Sequence, residues 1–368
     1  MKQVATSVLV PGMRLARTVY GPNGEMYLNA GVLLTQRYIN RLAAHGYRSV
    51  YVEDRLLDGF TVEDVIRQET RAKAFTNART VLEDAKTNKR GIINPPVVTK
   101  VVTSIVDELL SNPLAMVNLI DIRSNNDYLF GHCVNVCVLA VMTGITLGFP
   151  WDRLVTLGTG ALLHDVGKMR VPAKIIDKPG KLTDEEFEVV KKHTIYGRDM
   201  LCRGDQEAAL IAHGHHERYN GQGYPEQISH PGIKVFAQIV GVVDVFDAIT
   251  SDRCYRQAEH PVTALELLAG AGNWWFEAKI VNAFMENMAA YPTGTFVQIN
   301  TGEIGIVTDT PKGQSFFPNV RVLLDAGYGK VTPYDLSILH KGCWVNTILE
   351  DSAVNKALQE QAKLVGSS

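Results

Sequence analysis

The chain has 368 residues, 46% of them hydrophobic and 21% charged, enough for two or three domains with substantial cores. A net charge of −2 offers no global basic surface to duplex DNA, although a local basic patch survives such averaging. Glycine at 31 residues and proline at 15 exclude collagen-like and low-complexity chains, and five cysteines without a CxxC pair do not make a disulfide scaffold.

The N-terminal stretch MKQVATSVLVPGMRLAR lacks the pattern of a signal peptide. The most apolar stretch, 134–149, is interrupted by Asn135, so no unbroken run is long enough to span a bilayer. The expectation is a cytoplasmic protein that is not inserted in a membrane.

Residues 1–57 read as a small α/β module. Apolar bursts at 8–10, 26–28 and 50–52 suggest strands, separated by turn chemistry such as Gly21-Pro22-Asn23-Gly24. Thr35 can cap a short helix with Ile39, Leu42 and Ala43 on one face and Gly46 just past its end. Residues 58–96 interleave acids and bases, including Glu63, Asp64, Arg67, Glu69, Arg71 and Lys73. They read as a solvated helical linker that ends at Pro95-Pro96.

From 97 to 291 apolar residues recur at helical spacing, beginning with Val98, Val101, Val102, Ile105 and Leu109. Further helices are expected over 134–147, 154–163, 185–198, 208–213, 235–249 and 264–268. Thr183-Asp184-Glu185-Glu186 is a capping box that marks a helix start. Over 292–368 the period becomes two. A hairpin is expected from 295–299 and 304–307, with strands at 320–324 and 344–349. The fold class is therefore multi-domain: an all-α core flanked by the small α/β module and a β-rich C-terminal extension.

Six of the ten histidines lie between positions 132 and 216: His132, His164, His193, His213, His215 and His216. His164-Asp165 ends an apolar helix after Leu162-Leu163, and burying an imidazole beside an unpaired carboxylate is costly without a partner. A divalent cation is the natural partner, and the two oxygens of Asp165 can bridge two of them. His132 opens its own apolar helix, while Asp244 sits between Val243 and Val245 in a run that otherwise reads as buried. Imidazole and carboxylate donors without thiolate suit Fe, Mn, Co, Ni or Zn rather than a cysteine-rich structural zinc site. Cys133 and Cys137 are read as small core residues.

His132, His164-Asp165 and Asp244 resemble the HD superfamily of metal-dependent phosphohydrolases. His164-Asp165-Val166-Gly167-Lys168, His193, His215-His216-Glu217-Arg218, Gly223-Tyr224-Pro225 and the run from Asp244 to Arg256 resemble its HD-GYP subgroup, over roughly residues 100–290. The resemblance implies an all-helical domain that hydrolyses the second messenger cyclic di-GMP, by means of a water shared between metals, with either the linear pGpG or GMP as final product. It implies two divalent transition metals, iron or manganese: one held by His132, His164, Asp165 and Asp244, the other by His193, His215 and His216 with Asp165 shared. Tyr128 stands where some members carry a glutamate for a third metal, so two are expected. Asn220 stands where aspartate is common.

In this reading Lys168 places an ammonium against the charge that develops on the phosphoryl group. Gly223 and Pro225 shape a turn presenting Tyr224 to guanine, and Arg253 and Arg256 bind phosphate or a guanine edge. Two alternatives keep the site but change the outcome: a non-hydrolysing module responsive to cyclic di-GMP, or a phosphohydrolase acting on another nucleotide. A homodimer through the helix expected over 97–122 is a further expectation.

Overall fold

The computed structural model describes residues 1–21, 25–47, 49–60, 64–87, 95–117, 128–178, 180–251, 258–351 and 353–354. The N-terminal segment holds β1 (Lys2–Ala5), β2 (Val19–Tyr20), β3 (Met26–Leu28), α1 (Gln36–Ala44) and β4 (Ser49–Val52). β1 pairs antiparallel with β4, and β2 with β3. Thr35 caps α1 by accepting the Tyr38 N–H, and Gly46 takes φ +79° just beyond the helix end. The burst at 8–10 is not a strand. Val8 and Val10 are 59% and 53% exposed, and Val4, opposite Val50, makes the buried pairing instead.

α2 (Gln68–Thr87) corrects the expectation of a solvated linker. Ala74, Ala78, Val81, Leu82 and Ala85 form a buried stripe. Alanines carry little apolar signal, so charged residues on the other faces conceal a packing helix. α3 (Pro95–Ser111) buries Val98, Val102, Ile105 and Leu109 in the same core.

α4 (Tyr128–Thr146) contains an 18-residue window, Leu129–Thr146, of mean hydropathy 1.8, long and apolar enough to cross a membrane. Here 72% of that window is buried inside the fold, as in a core helix. Asn135 does not lower the average enough to disqualify it, contrary to the count of unbroken runs.

α5 (Trp151–Leu163) runs into a 3₁₀ turn over Val166–Arg170, followed by α6 (Ala173–Ile176), α7 (Asp184–Lys191) and α8 (His193–Leu201). The capping box forms: Thr183 accepts the Glu186 N–H while Glu186 accepts the Thr183 N–H. The single helix expected over 185–198 is divided at Lys192. α9 (Gln206–Gly214), α10 (Val235–Thr250), α11 (Pro261–Gly270) and α12 (Ala278–Met285) complete the helical domain.

Beyond it, β5 (Phe296–Ile299), β6 (Ile304–Asp309), β7 (Asn319–Leu324), β8 (Lys330–Ser337), α13 (Ile338–Lys341) and β9 (Val345–Leu349) build an antiparallel sheet of order β8-β7-β6-β5-β9. β8 was not expected. It is a polar edge strand carrying Pro333, which an edge position tolerates. One apolar core extends from Ala78 and Val98 through the helices to Val297, Val307 and Ile338, so the sheet and the helical domain share it. Residues of the N-terminal segment, including Leu15, Leu34 and Val50, form a separate core.

Candidate metal centre

Every ligand expected from the sequence converges on one buried site. α5 is apolar to Leu163, so His164 and Asp165 fall where the chain leaves the helix for the tight turn. Gly167 lets that turn lie against the start of α8: a Cβ there would stand 1.9 Å from the His193 carbonyl oxygen. α9 ends at Gly214 and releases His215 and His216. Gly241 allows α10 to pass behind them, since a Cβ there would lie 2.5 Å from the His215 carbonyl oxygen. α4 supplies His132 and α10 supplies Asp244.

Among the described residues, three groups have donor atoms all within 4.8 Å of one another: His193, His215 and His216; His132, His164 and Asp244; His164, Asp165 and His215. Asp165 stands between them. Its Oδ2 lies 3.7 Å from His132 Nε2 and 3.4 Å from His164 Nε2. Its Oδ1 faces the other way, 3.4 Å from His193 Nε2 and 3.9 Å from His215 Nε2. Asp244 lies 3.1 Å from His132 Nε2 through one oxygen and 3.9 Å from His216 Nδ1 through the other. Lys168 is ion-paired with Asp165 Oδ2.

The electrostatics suit bound cations. Burial opposes ionisation of Asp165, yet Lys168 and His164 beside it hold its carboxyl well below the usual carboxylate range. Asp244 is likewise buried and held down, chiefly by its hydrogen bond with His132. Burial pushes His193 down to about 4 and holds His215 and His216 well below the usual histidine range, keeping these imidazoles neutral as ligation requires. His132 is pushed up to about 9: burial lowers it, but hydrogen bonds to Asp244 and Asp247 outweigh that. The positive charge those carboxylates draw onto His132 is one that a divalent cation also supplies. His164 Nε2 and Asp165 Oδ1 are buried without a hydrogen-bond partner, as donor atoms awaiting a cation would be.

The outward nitrogens are aimed by their other hydrogen bonds. His164 Nδ1 lies 2.7 Å from the Ala161 carbonyl, His193 Nδ1 2.7 Å from that of Val190, and His215 Nδ1 3.0 Å from that of Ala212. His132 Nδ1 is 2.7 Å from Asp247 Oδ2, whose other oxygen accepts from the Asn135 amide at 2.8 Å. The motifs in the sequence assign no role to Asp247 or Asn135. The available signals were an acid one turn beyond Asp244 and an amide one turn beyond His132.

The loop after His216 is pinned by Glu217, which is 3% exposed and accepts the N–H groups of Glu226, Gln227 and Ile228. Gly223 is required there, because a Cβ would meet Glu217 Cα and Arg218 N at 2.4 Å. This seats Tyr224, next to Pro225, with its ring stacked on His216 at 4.6 Å between centroids. Asn220 accepts the Gln222 N–H within the loop, 3.0 Å away. His213 pairs with Glu226 at 3.1 Å and joins none of the three groups. Arg253 and Arg256 lie outside the described residues. So does the side chain of Tyr128, the first residue of α4.

The helical domain thus closes on buried histidine and aspartate clusters whose donor atoms could hold metal ions. Residues 116–280 match the family model described as HD domain. It is 35% identical over 231 residues to a cyclic di-GMP phosphodiesterase of Pseudomonas aeruginosa, covering 61% of this chain and 56% of that one. A cyclic di-GMP phosphodiesterase response regulator of Xanthomonas campestris is 39% identical over 147 residues, 39% of each chain. A 3'3'-cGAMP-specific phosphodiesterase of Vibrio cholerae is 31% identical over 160 residues, 41% of this chain and 35% of that one. The chain thus spans about half or less of the length of these relatives.

Proposed function

We propose that this chain is a metal-dependent phosphodiesterase that opens cyclic di-GMP to the linear pGpG, with residues 97–291 as its catalytic unit. The observation that carries the reading is the two-sided placement of Asp165 between histidine clusters. His132, His164, Asp165 and Asp244 would hold one cation, and His193, His215 and His216 the other, with Asp165 shared. Iron or manganese suits these donors. When bound, such a pair supplies a water of lowered pKa and neutralises phosphate charge.

The chain's own groups do the positioning. Lys168 brings an ammonium to the edge of the cluster, where it can stabilise charge on a phosphoryl oxygen. Tyr224 offers an aromatic ring beside the centre, held in place by Gly223, Pro225 and the Glu217 clamp. Arg253 and Arg256, which follow α10, are assigned to the phosphates or a guanine edge.

Anaerobically purified protein should carry about two iron or manganese ions per chain by elemental analysis. The reconstituted protein should hydrolyse cyclic di-GMP in preference to 3'3'-cGAMP and to linear phosphodiesters. A firm one or three ions per chain would refute the two-metal arrangement. Preference for 3'3'-cGAMP, the substrate in the names of three relatives, would establish the second reading. Binding of cyclic di-GMP without turnover would make the chain an interaction module.

Tyr224→Ala tests recognition apart from chemistry. It should keep its metal and lose about 1–3 kcal/mol, roughly 5–150-fold in kcat/KM, on cyclic di-GMP. A chromogenic phosphodiester without a base to stack should be almost unaffected. Equal losses on both would mean that the ring acts through His216, against which it is stacked.

A further inference from the structure

His132 is joined to the N-terminal segment by an unbroken line of hydrogen bonds. From Asp247 and the Asn135 amide the line continues to Arg71, whose Nη1 donates to Asn135 Oδ1 at 2.8 Å. Arg71 Nη2 donates to Asp64 Oδ1 at 3.0 Å, and Arg17 Nη2 is ion-paired with Asp64 Oδ2. Arg17 comes from the loop before β2, and its guanidinium also lies over the Tyr51 ring of β4, 5.4 Å from the centroid. Five separate parts of the chain are crossed before the metal centre is reached.

These are not loose surface pairs. The side chains of Arg17 and Asp64 are each 13% exposed and that of Arg71 is 18% exposed. Burial opposes ionisation of Asp64, but Arg71 and Arg17 outweigh it and hold its carboxyl below the usual range. Asp64 is therefore a fixed anion that orients both guanidinium groups.

Each link also has a required sense. A ligating His132 must keep its Nε2 lone pair free, so its proton sits on Nδ1 and is donated to Asp247. Asp247 can then only accept, and it needs the NH₂ end of Asn135. An amide can present either end, but an arginine carries donors only. Arg71 therefore draws the Asn135 oxygen to itself and turns the NH₂ to Asp247. Without Arg71 the amide could turn over and set oxygen against carboxylate oxygen.

We propose that Arg71 is a positioning residue for the metal centre, acting on His132 through Asn135 and Asp247, and that the N-terminal segment holds Arg71 through Arg17 and Asp64. The flanking module thereby sets the affinity of the His132 cluster and leaves that of the His193 cluster alone. The proposal rests on reading His132 as a metal ligand.

Cobalt(II) titrated into the metal-stripped full chain, followed by visible absorption, tests it. The wild type should take up two equivalents in distinguishable steps. Uptake of none would sink the metal reading itself, and this proposal with it. Arg71→Met should weaken one step by about 10–100-fold, the loss typical when a group that supports a ligand is removed, and change that step's spectrum alone. Arg17→Met should weaken the same step by less, and add nothing once Arg71 has been replaced. Unchanged affinities in folded Arg71→Met, equal losses at both steps, or an undiminished Arg17 effect without Arg71 would each overturn the proposal. Should Arg71→Met fail to fold by circular dichroism, Arg71→Lys decides the matter. It keeps a charge for Asp64 but has no fork to span Asp64 and Asn135 together. One weakened step then supports the proposal, and two unchanged steps reject it.

Discussion

Asp165→Ala is expected to strip metal from both clusters and to take hydrolysis below detection. The reason is geometric. Oδ2 addresses His132 and His164 while Oδ1 addresses His193 and His215, so one truncation removes a donor from each side. It also leaves Lys168 without the carboxylate it pairs with, placing an uncompensated ammonium where cations should bind. The affinity loss should exceed the roughly 10–100-fold that follows from removing a merely supporting group. His216→Ala, which touches one cluster, should lose about one ion instead of both. Elemental analysis of the two variants beside the wild type reads this directly. A full metal complement in Asp165→Ala would show that Asp165 is not the bridge.

Gly167→Ala should be nearly as damaging, although it removes no donor. Its Cβ would lie 1.9 Å from the His193 carbonyl oxygen and 2.5 Å from Gly197 N, both backbone atoms of α8. A flexible side chain could swing aside, but a helix start can only be displaced, by about an ångström or more. Forced packing of this kind costs about 1–3 kcal/mol, with the upper end expected where backbone must move. The same displacement carries His193 away from its cluster, and a shift of about 1 Å at a catalytic group can cost roughly 100-fold in rate. Gly270→Ala is the control, because a Cβ at that exposed helical position meets nothing within 4 Å. It should be neutral or slightly stabilising. Thermal melts and metal content of the pair provide the comparison, and wild-type stability in Gly167→Ala would contradict the steric argument.

Features written in neighbouring residues are legible in the sequence itself. Thr35 and Thr183 cap helices through atoms within three residues of themselves, and the turn at 300–303 joins two strands of alternating pattern. What stayed hidden depended on distant partners. The alanine stripe of α2 is apolar only by virtue of the helices packed on it, and the polar β8 is a strand because β7 offers it an edge. Val8 and Val10 failed as a strand for the converse reason, since β4 is paired by Lys2–Ala5.

The donor types could be read from the sequence alone. Histidines and aspartates set into apolar runs need a partner wherever the chain places them, and imidazole with carboxylate already narrows the cations. Spacing alone did not say which donors meet: the family resemblance implied the grouping, and the packed chain brings those residues together. Six histidines lie close together in the sequence, yet His213 pairs with Glu226 while Asp244 and Asp247, far along the chain, enter the site with Asn135. Those outcomes depend on how closely α5, α8, α9 and α10 approach at Gly167 and Gly241, and on a polar line reaching back to Arg17. Close approach and hydrogen bonding between distant segments are set by the packed chain as a whole, which local pattern does not encode.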